Sequence, residues 1–235
     1  MTARIIRATV SASLLVGAVL TVISVLLMPD FSGGHAERLQ AIAADLGTAT
    51  VSSLAFTFAQ LFLAVGVVGL AHLARSRTPV LATLGGILVL LGAFGHAVYG
   101  GVRIVMLSMA ADLSSLEAYS AVLQRGEKGA GLPFMLMGLL GTVLGLVLIG
   151  IALWRGQLGP RWLGPAIIGW VLLEFVGSGL SQWASYASGL LYAVVFVTMA
   201  MLTWRSSLSH WQSAAGSPAA DHDRPSGLVV QSAQA

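Results

Sequence analysis

Six stretches of the chain run almost without charge, near residues 8–28, 51–73, 80–107, 132–154, 163–182 and 186–204. Each is close to the ~20 apolar residues that a helix needs to cross a bilayer. Apolar residues occur on every side of these segments, not in one stripe, so lipid and not only a protein core must receive them. The pattern predicts an all-α membrane bundle of six transmembrane helices over residues 1–205. Arg4 and Arg7 precede the first stretch as in a signal peptide. Its apolar run exceeds the ~7–15 residues of a signal-peptide core, and no A-x-A site follows, so it is expected to stay as an anchor.

Polar positions divide the stretches unevenly. In the longer loop around 36–46, Leu39, Ile42 and Leu46 share one helical face, and Gly47 is a candidate stop. Around 115–125, Leu116, Tyr119 and Leu123 share a face, Ser114 with Glu117 resembles a capping box, and Gly126 is a candidate end. Both predict short amphipathic helices in the outer interface. They suit covers for the helix ends or a lid over a cavity. The turns at 74–79 and 154–161 are short and each carries two Arg and a Pro. That likeness hints at a repeat of the 2–3 and 4–5 hairpins, or at convergence between inner turns. From 206 onward Ser, Ala, Pro and Asp predominate without period, which predicts a disordered cytoplasmic tail to 235.

Composition agrees with the pattern. Hydrophobic residues make up 57% of the 235 and charged residues 9%, and the mean hydropathy is +0.87. A soluble domain carries about 25% charged residues. The formal charge of +3 is spread one or two residues per loop, so it does not point to nucleic acid. There is no Cys, which removes disulfides, thiolate nucleophiles and Cys-ligated metals. Arg4, Arg7, Arg75, Arg77, Arg155, Arg161 and Arg205 all fall on one side of a six-span path. By the positive-inside rule both termini are cytoplasmic in the cell membrane.

Chemistry in such a chain rests on ionisable groups inside the spans, each costing at least ~2.5–3.5 kcal/mol at the bilayer centre. Glu174 is the one acidic residue within a predicted span, with Ser178 and Ser181 on its face. It is either a hydrogen-bonded structural acid or a proton, cation or substrate site. His96 lies on a stripe with Gly92, Gly100 and Arg103, which places it inside the bundle, structural or ligand-binding. Arg103, near the span end, is expected to snorkel. Gln60, His96, Tyr99, Glu174, Ser178 and Tyr192 fall at similar depth and form a candidate polar pocket. His72 is too far along the axis from His96 to share a haem with it. No catalytic constellation, metal site or cofactor fingerprint is evident. Gly138, Gly141, Thr142 and Gly145 give small-residue faces on the fourth span, suited to close packing within the bundle.

The segment Pro29-Asp30-Phe31-Ser32-Gly33-Gly34 and the triplet Gly95-His96-Ala97 carry a resemblance over the first half of the chain. The chain resembles small six-span membrane proteins of high-GC actinobacteria. That resemblance implies the same helical bundle and carries over no activity. Three function classes stay open: a non-catalytic binding or accessory component of the cell envelope, a small transporter or channel using Glu174, and a membrane enzyme. The expected partners are the lipid bilayer and a membrane protein or second copy of the chain.

Overall fold

The computed structural model describes residues 1–31, 33–177 and 182–212. Among these the protein is all-helical, with no strand. The principal helices are α1 (Thr2–Leu26), α2 (His35–Ala44), α3 (Leu46–Ala74), α4 (Pro79–Ala110), α5 (Leu116–Lys128), α6 (Leu132–Arg155), α7 (Leu163–Leu172) and α8 (Gln182–Arg205). A π-turn, Leu173–Gly177, extends α7. Five helices, α1, α3, α4, α6 and α8, are long and apolar enough to cross a membrane, whereas the apolar helix Leu163–Gly177 is shorter. Ser178 and Ser181 of the candidate pocket lie outside the described residues.

Local chemistry sets most boundaries. Pro79 opens α4, where its missing N–H and fixed φ cost nothing. Asp45 ends α2 and caps α3, accepting hydrogen bonds from the Thr48 hydroxyl at 2.5 Å and amide at 3.0 Å. The reading of Gly47 as a stop is therefore corrected: it lies in the first turn of α3. Gly126 likewise sits inside α5, which runs on to Lys128. Nor does Ser114 cap α5. Asp112 accepts its amide at 2.9 Å, and that bond caps a one-turn 3-10 segment before α5. Gly159 at φ 81° supplies the left-handed step that turns α6 into α7.

The six long or apolar helices close into a ring in the order α1, α3, α4, α6, α7, α8 and back to α1. Contacts along each pair show that neighbours run antiparallel. Gly17 meets Leu63 while Gly69 meets Val10, and Gly85 meets Ile149 while Gly95 meets Gly138. Between apolar helices in lipid, hydrophobicity gives little drive and van der Waals packing must dominate. Small residues supply it. A β-carbon on Gly141 would lie 2.6 Å from the amide nitrogen of Gly92, and one on Gly145 2.6 Å from that of Val89. The small-residue face of the fourth span thus packs against α4 of the same chain.

The two ends of the ring differ. At one end Arg7 donates to the Ser206 carbonyl at 2.9 Å, and Arg77 donates to that of Gly156 at 2.7 Å. His72 contacts the His210 carbonyl at 3.0 Å, and Trp211, only 3% exposed, packs beside it. The bundle thus extends past the boundary at 205, through a 3-10 turn Leu208–Trp211. We call this the basic end. At the other, α2 lies against α3 and α4, and α5 packs on α2 and α6, with Leu39, Ile42, Ala49, Met106, Ala110 and Leu123 in a second core. Glu127 of α5 pairs with His35 at 3.3 Å and Arg38 at 3.8 Å of α2. We call this the capped end.

Candidate functional site

Arg103 is the most unusual group in the bundle. It lies in α4, seven residues before the helix ends, and is 3% exposed. It does not snorkel. Its guanidinium donates to Ser52 Oγ of α3 at 3.0 Å, and Ser52 in turn donates to the Ser24 carbonyl of α1 at 2.8 Å. The Phe31 and Phe56 rings lie at 5.4 Å and 4.9 Å from its central carbon. A cation between two ring faces gains from both quadrupoles, more so away from water. Arg103 Nε has no hydrogen-bond partner among the described residues, and the ion pairs among them do not include it.

Three of the predicted pocket residues gather below this cluster. The ring of Phe56 meets His96 at 5.9 Å and Tyr99 at 6.2 Å, both edge-on. Gln60, one turn further along α3, donates to the Phe56 carbonyl at 3.1 Å, while its buried Oε1 has no partner among the described residues. His96 is half-buried, and its ring also lies against Gly138 of α6. Glu174 and Tyr192 are placed elsewhere on the ring. The π-turn directs Glu174 at α8, where fully buried Ser188 donates to its carboxyl at 2.5 Å. Tyr192 stacks on Phe196 at 4.0 Å, meets Trp170 at 5.0 Å and accepts from Thr21 of α1 at 3.3 Å. The predicted residues therefore form two groups, one on α3 and α4 and one on α7 and α8. Arg103, Ser52 and Ser24 were missed as a unit. Their only signal in the chain is three polar residues within apolar stretches.

A third feature lies beside the first group. Under α5, between α4 and α6, is a recess of about 500 Å³. Tyr99, Val102, Val105, Val122, Phe134 and Met135 give it an apolar lining. Glycines hollow it. A β-carbon on Gly101 or on Gly126 would meet nothing within 4 Å. Glu127 also lines it. The recess falls in the 300–1,000 Å³ range of ligand pockets. Its chemistry suits holding a hydrocarbon, with Tyr99 and Glu127 as its polar groups.

No protein family, curated protein or solved structure matches the chain.

Proposed function

We propose that the chain is a six-span protein of the cell membrane, both termini cytoplasmic, acting as a non-catalytic binding component of the envelope. The apolar recess beneath α5 is the observation that carries this reading. Several features support the placement in the membrane. Exposed Trp154, Trp162 and Trp204 girdle the basic end, and exposed Trp183 stands at the far end of α8. Trp183 and Trp204 are about 31 Å apart along the helix, the thickness of a hydrocarbon core at ~30 Å. Trp favours that interface. The clustered Arg residues support a cytoplasmic position for the basic end. Connectivity supports a sixth crossing. Leu163 starts beside α6 at the basic end, and α8 begins at the far end, which favours Leu163–Gly177 as part of that crossing.

Two measurements test this. Reporters fused after Arg77, Arg161 and Arg205 should read cytoplasmic, and those after Asp45 and Glu127 external. The purified full-length protein should bind a fluorescent polyene fatty acid saturably, near one per chain. Failure to saturate would remove the binding reading, and a cytoplasmic signal at Glu127 would remove the six-span one.

A second reading has its own support. A π-turn inside a helix often marks a functional position, and this one presents a carboxyl to a buried hydroxyl in the span region. A proton- or cation-coupled transporter would use that group. Vesicles holding the protein should then show a flux that Glu174→Gln abolishes.

A further inference from the structure

We propose that the recess under α5 holds one acyl chain of an anionic phospholipid, its phosphate at the level of Arg125 and Lys128. This rests on the reading above that the capped end is external and the recess faces lipid.

The depth fits a chain of one leaflet. The α4 wall runs from Gly95 to Met109, about 21 Å along the helix at 1.5 Å per residue. Half a hydrocarbon core is about 15 Å, leaving the rim at the headgroup level. The wall offers hydrocarbon contact over that length, and at the rim α5 turns polar.

Charge selects the lipid class. Glu127, which lines the recess, is already paired with Arg38 and His35. Arg125 and Lys128, in the last turn of α5 on either side of it, are exposed and form no ion pair among the described residues. Arg125 and Lys128 flank the lining residue Glu127 in the chain, so the unpaired charge of that turn is positive, which complements a phosphate. A lipid with a net negative headgroup gains more from two cations than a zwitterionic one, whose own ammonium group opposes the attraction.

The glycines allow a clean test. Gly101 and Gly126 both line the recess, and a β-carbon on either meets nothing within 4 Å, so Leu at 101 and 126 adds bulk to its wall without a clash at the β-carbon. Delipidated full-length protein is incubated with dioleoyl phosphatidylglycerol or dioleoyl phosphatidylcholine, and native mass spectrometry counts the lipid retained. The wild type should keep one phosphatidylglycerol per chain, favoured over phosphatidylcholine by roughly tenfold or more from two basic groups. Gly101→Leu with Gly126→Leu should lose that lipid while melting no lower than wild type. Arg125→Gln with Lys128→Gln, both at the surface, should keep a lipid but lose the preference. Equal retention of both lipids by the wild type overturns the proposal, as does unchanged retention in the Leu variant or unchanged preference in the Gln variant. Polyene binding without phosphatidylglycerol retention would sink this inference and leave the binding reading standing. Loss of both would sink both.

Discussion

Gly92 of α4 faces Thr142 of α6 so closely that a β-carbon on Gly92 would lie 2.5 Å from both the amide nitrogen and Oγ1 of Thr142. The obstacle includes backbone, so no rotamer change relieves it. Gly92→Ala should force the helices apart and cost about 1–3 kcal/mol, as overpacking does elsewhere. Gly141→Ala should act the same way from the other side. Gly101→Ala, whose β-carbon meets nothing, should melt at or slightly above wild type because Ala is the better helix former. Thermal melts of the detergent-solubilised proteins check the contrast, and equal behaviour of Gly92→Ala and Gly101→Ala would refute it.

The Arg103 cluster predicts a second contrast. Ser52→Ala removes the one side-chain acceptor to which the Arg103 guanidinium donates among the described residues. Leaving a buried charged donor unsatisfied should cost about 1–3 kcal/mol. Phe31→Ala removes one of the two ring faces and should cost about 0.5–2 kcal/mol. Phe31→Tyr should be near neutral, since the face is kept. Arg103 also helps to hold the chain after α1, because Phe31 sits on it while Arg38 binds the Phe31 and Gly33 carbonyls at 3.1 and 2.8 Å. Protease added outside should therefore cut near residue 30 faster in Phe31→Ala. Unchanged cutting would show that Arg38 alone secures the segment.

How far the sequence leads is clear at these same residues. Hydropathy finds α1, α3, α4, α6 and α8 because each exceeds a bilayer in apolar length. It misjudges Arg103, because a charge near a span end is ordinarily at the interface. Its partners here, Ser52, Phe56 and Phe31, lie on other segments of the chain, and periodicity within one helix cannot show which helix that face meets. The same limit separates Glu174 from Gln60: depth along the axis can be counted, but azimuth around the ring cannot. Gly47 and Gly126 were misjudged for a local reason. A glycine permits a helix end without requiring it, and the Asp45 carboxylate settles the boundary beside Gly47. The π-turn at Glu174 has no signature in composition or period.

Asp45 yields a pH prediction. The Thr48 hydroxyl, and then the Thr48 amide, hold its carboxyl below the ordinary value of 3.8. A depressed folded-state value means that the ionised form is favoured in the fold. Its stabilisation is complete above the unfolded value, near 3.8, and is lost as pH falls through the lower folded one. Melts taken from pH 6 down to 3 should show wild type losing stability more steeply at the acid end than Asp45→Ala. Parallel curves would show that the cap makes no contribution to the acid limb.

Trp211 should matter although it lies beyond the last long helix. It is buried, packs on His72, and its indole N–H donates to Ser206 Oγ at 2.7 Å. Trp211→Ala should lower stability by about 3–5 kcal/mol if the site behaves as a core aromatic. Truncation after Gln212 should leave it unchanged. A Trp211→Ala melt within a degree of wild type would show that the turn Leu208–Trp211 rests on the bundle without bracing it.

Glu174 offers the sharpest choice between structure and function. Ser188 is fully buried and spends its hydroxyl hydrogen on the Glu174 carboxyl. A buried hydroxyl needs an acceptor, and here the acceptor is an oxygen that need not be charged. Glu174→Gln keeps a side-chain oxygen at the same reach, so its melt should stay within about 1 kcal/mol of wild type. Glu174→Leu removes the acceptor and should cost about 1–3 kcal/mol. Ser188→Ala combined with Glu174→Leu should recover part of that loss, because neither polar group is then left alone. Recovery would locate the penalty in the Ser188 pair. If Glu174→Gln falls as far as Glu174→Leu, a carboxyl itself is required at this position, and the acceptor account of the π-turn fails. If Glu174→Gln is as stable as wild type yet abolishes flux in vesicles, the carboxyl is spent on transport and not on the fold.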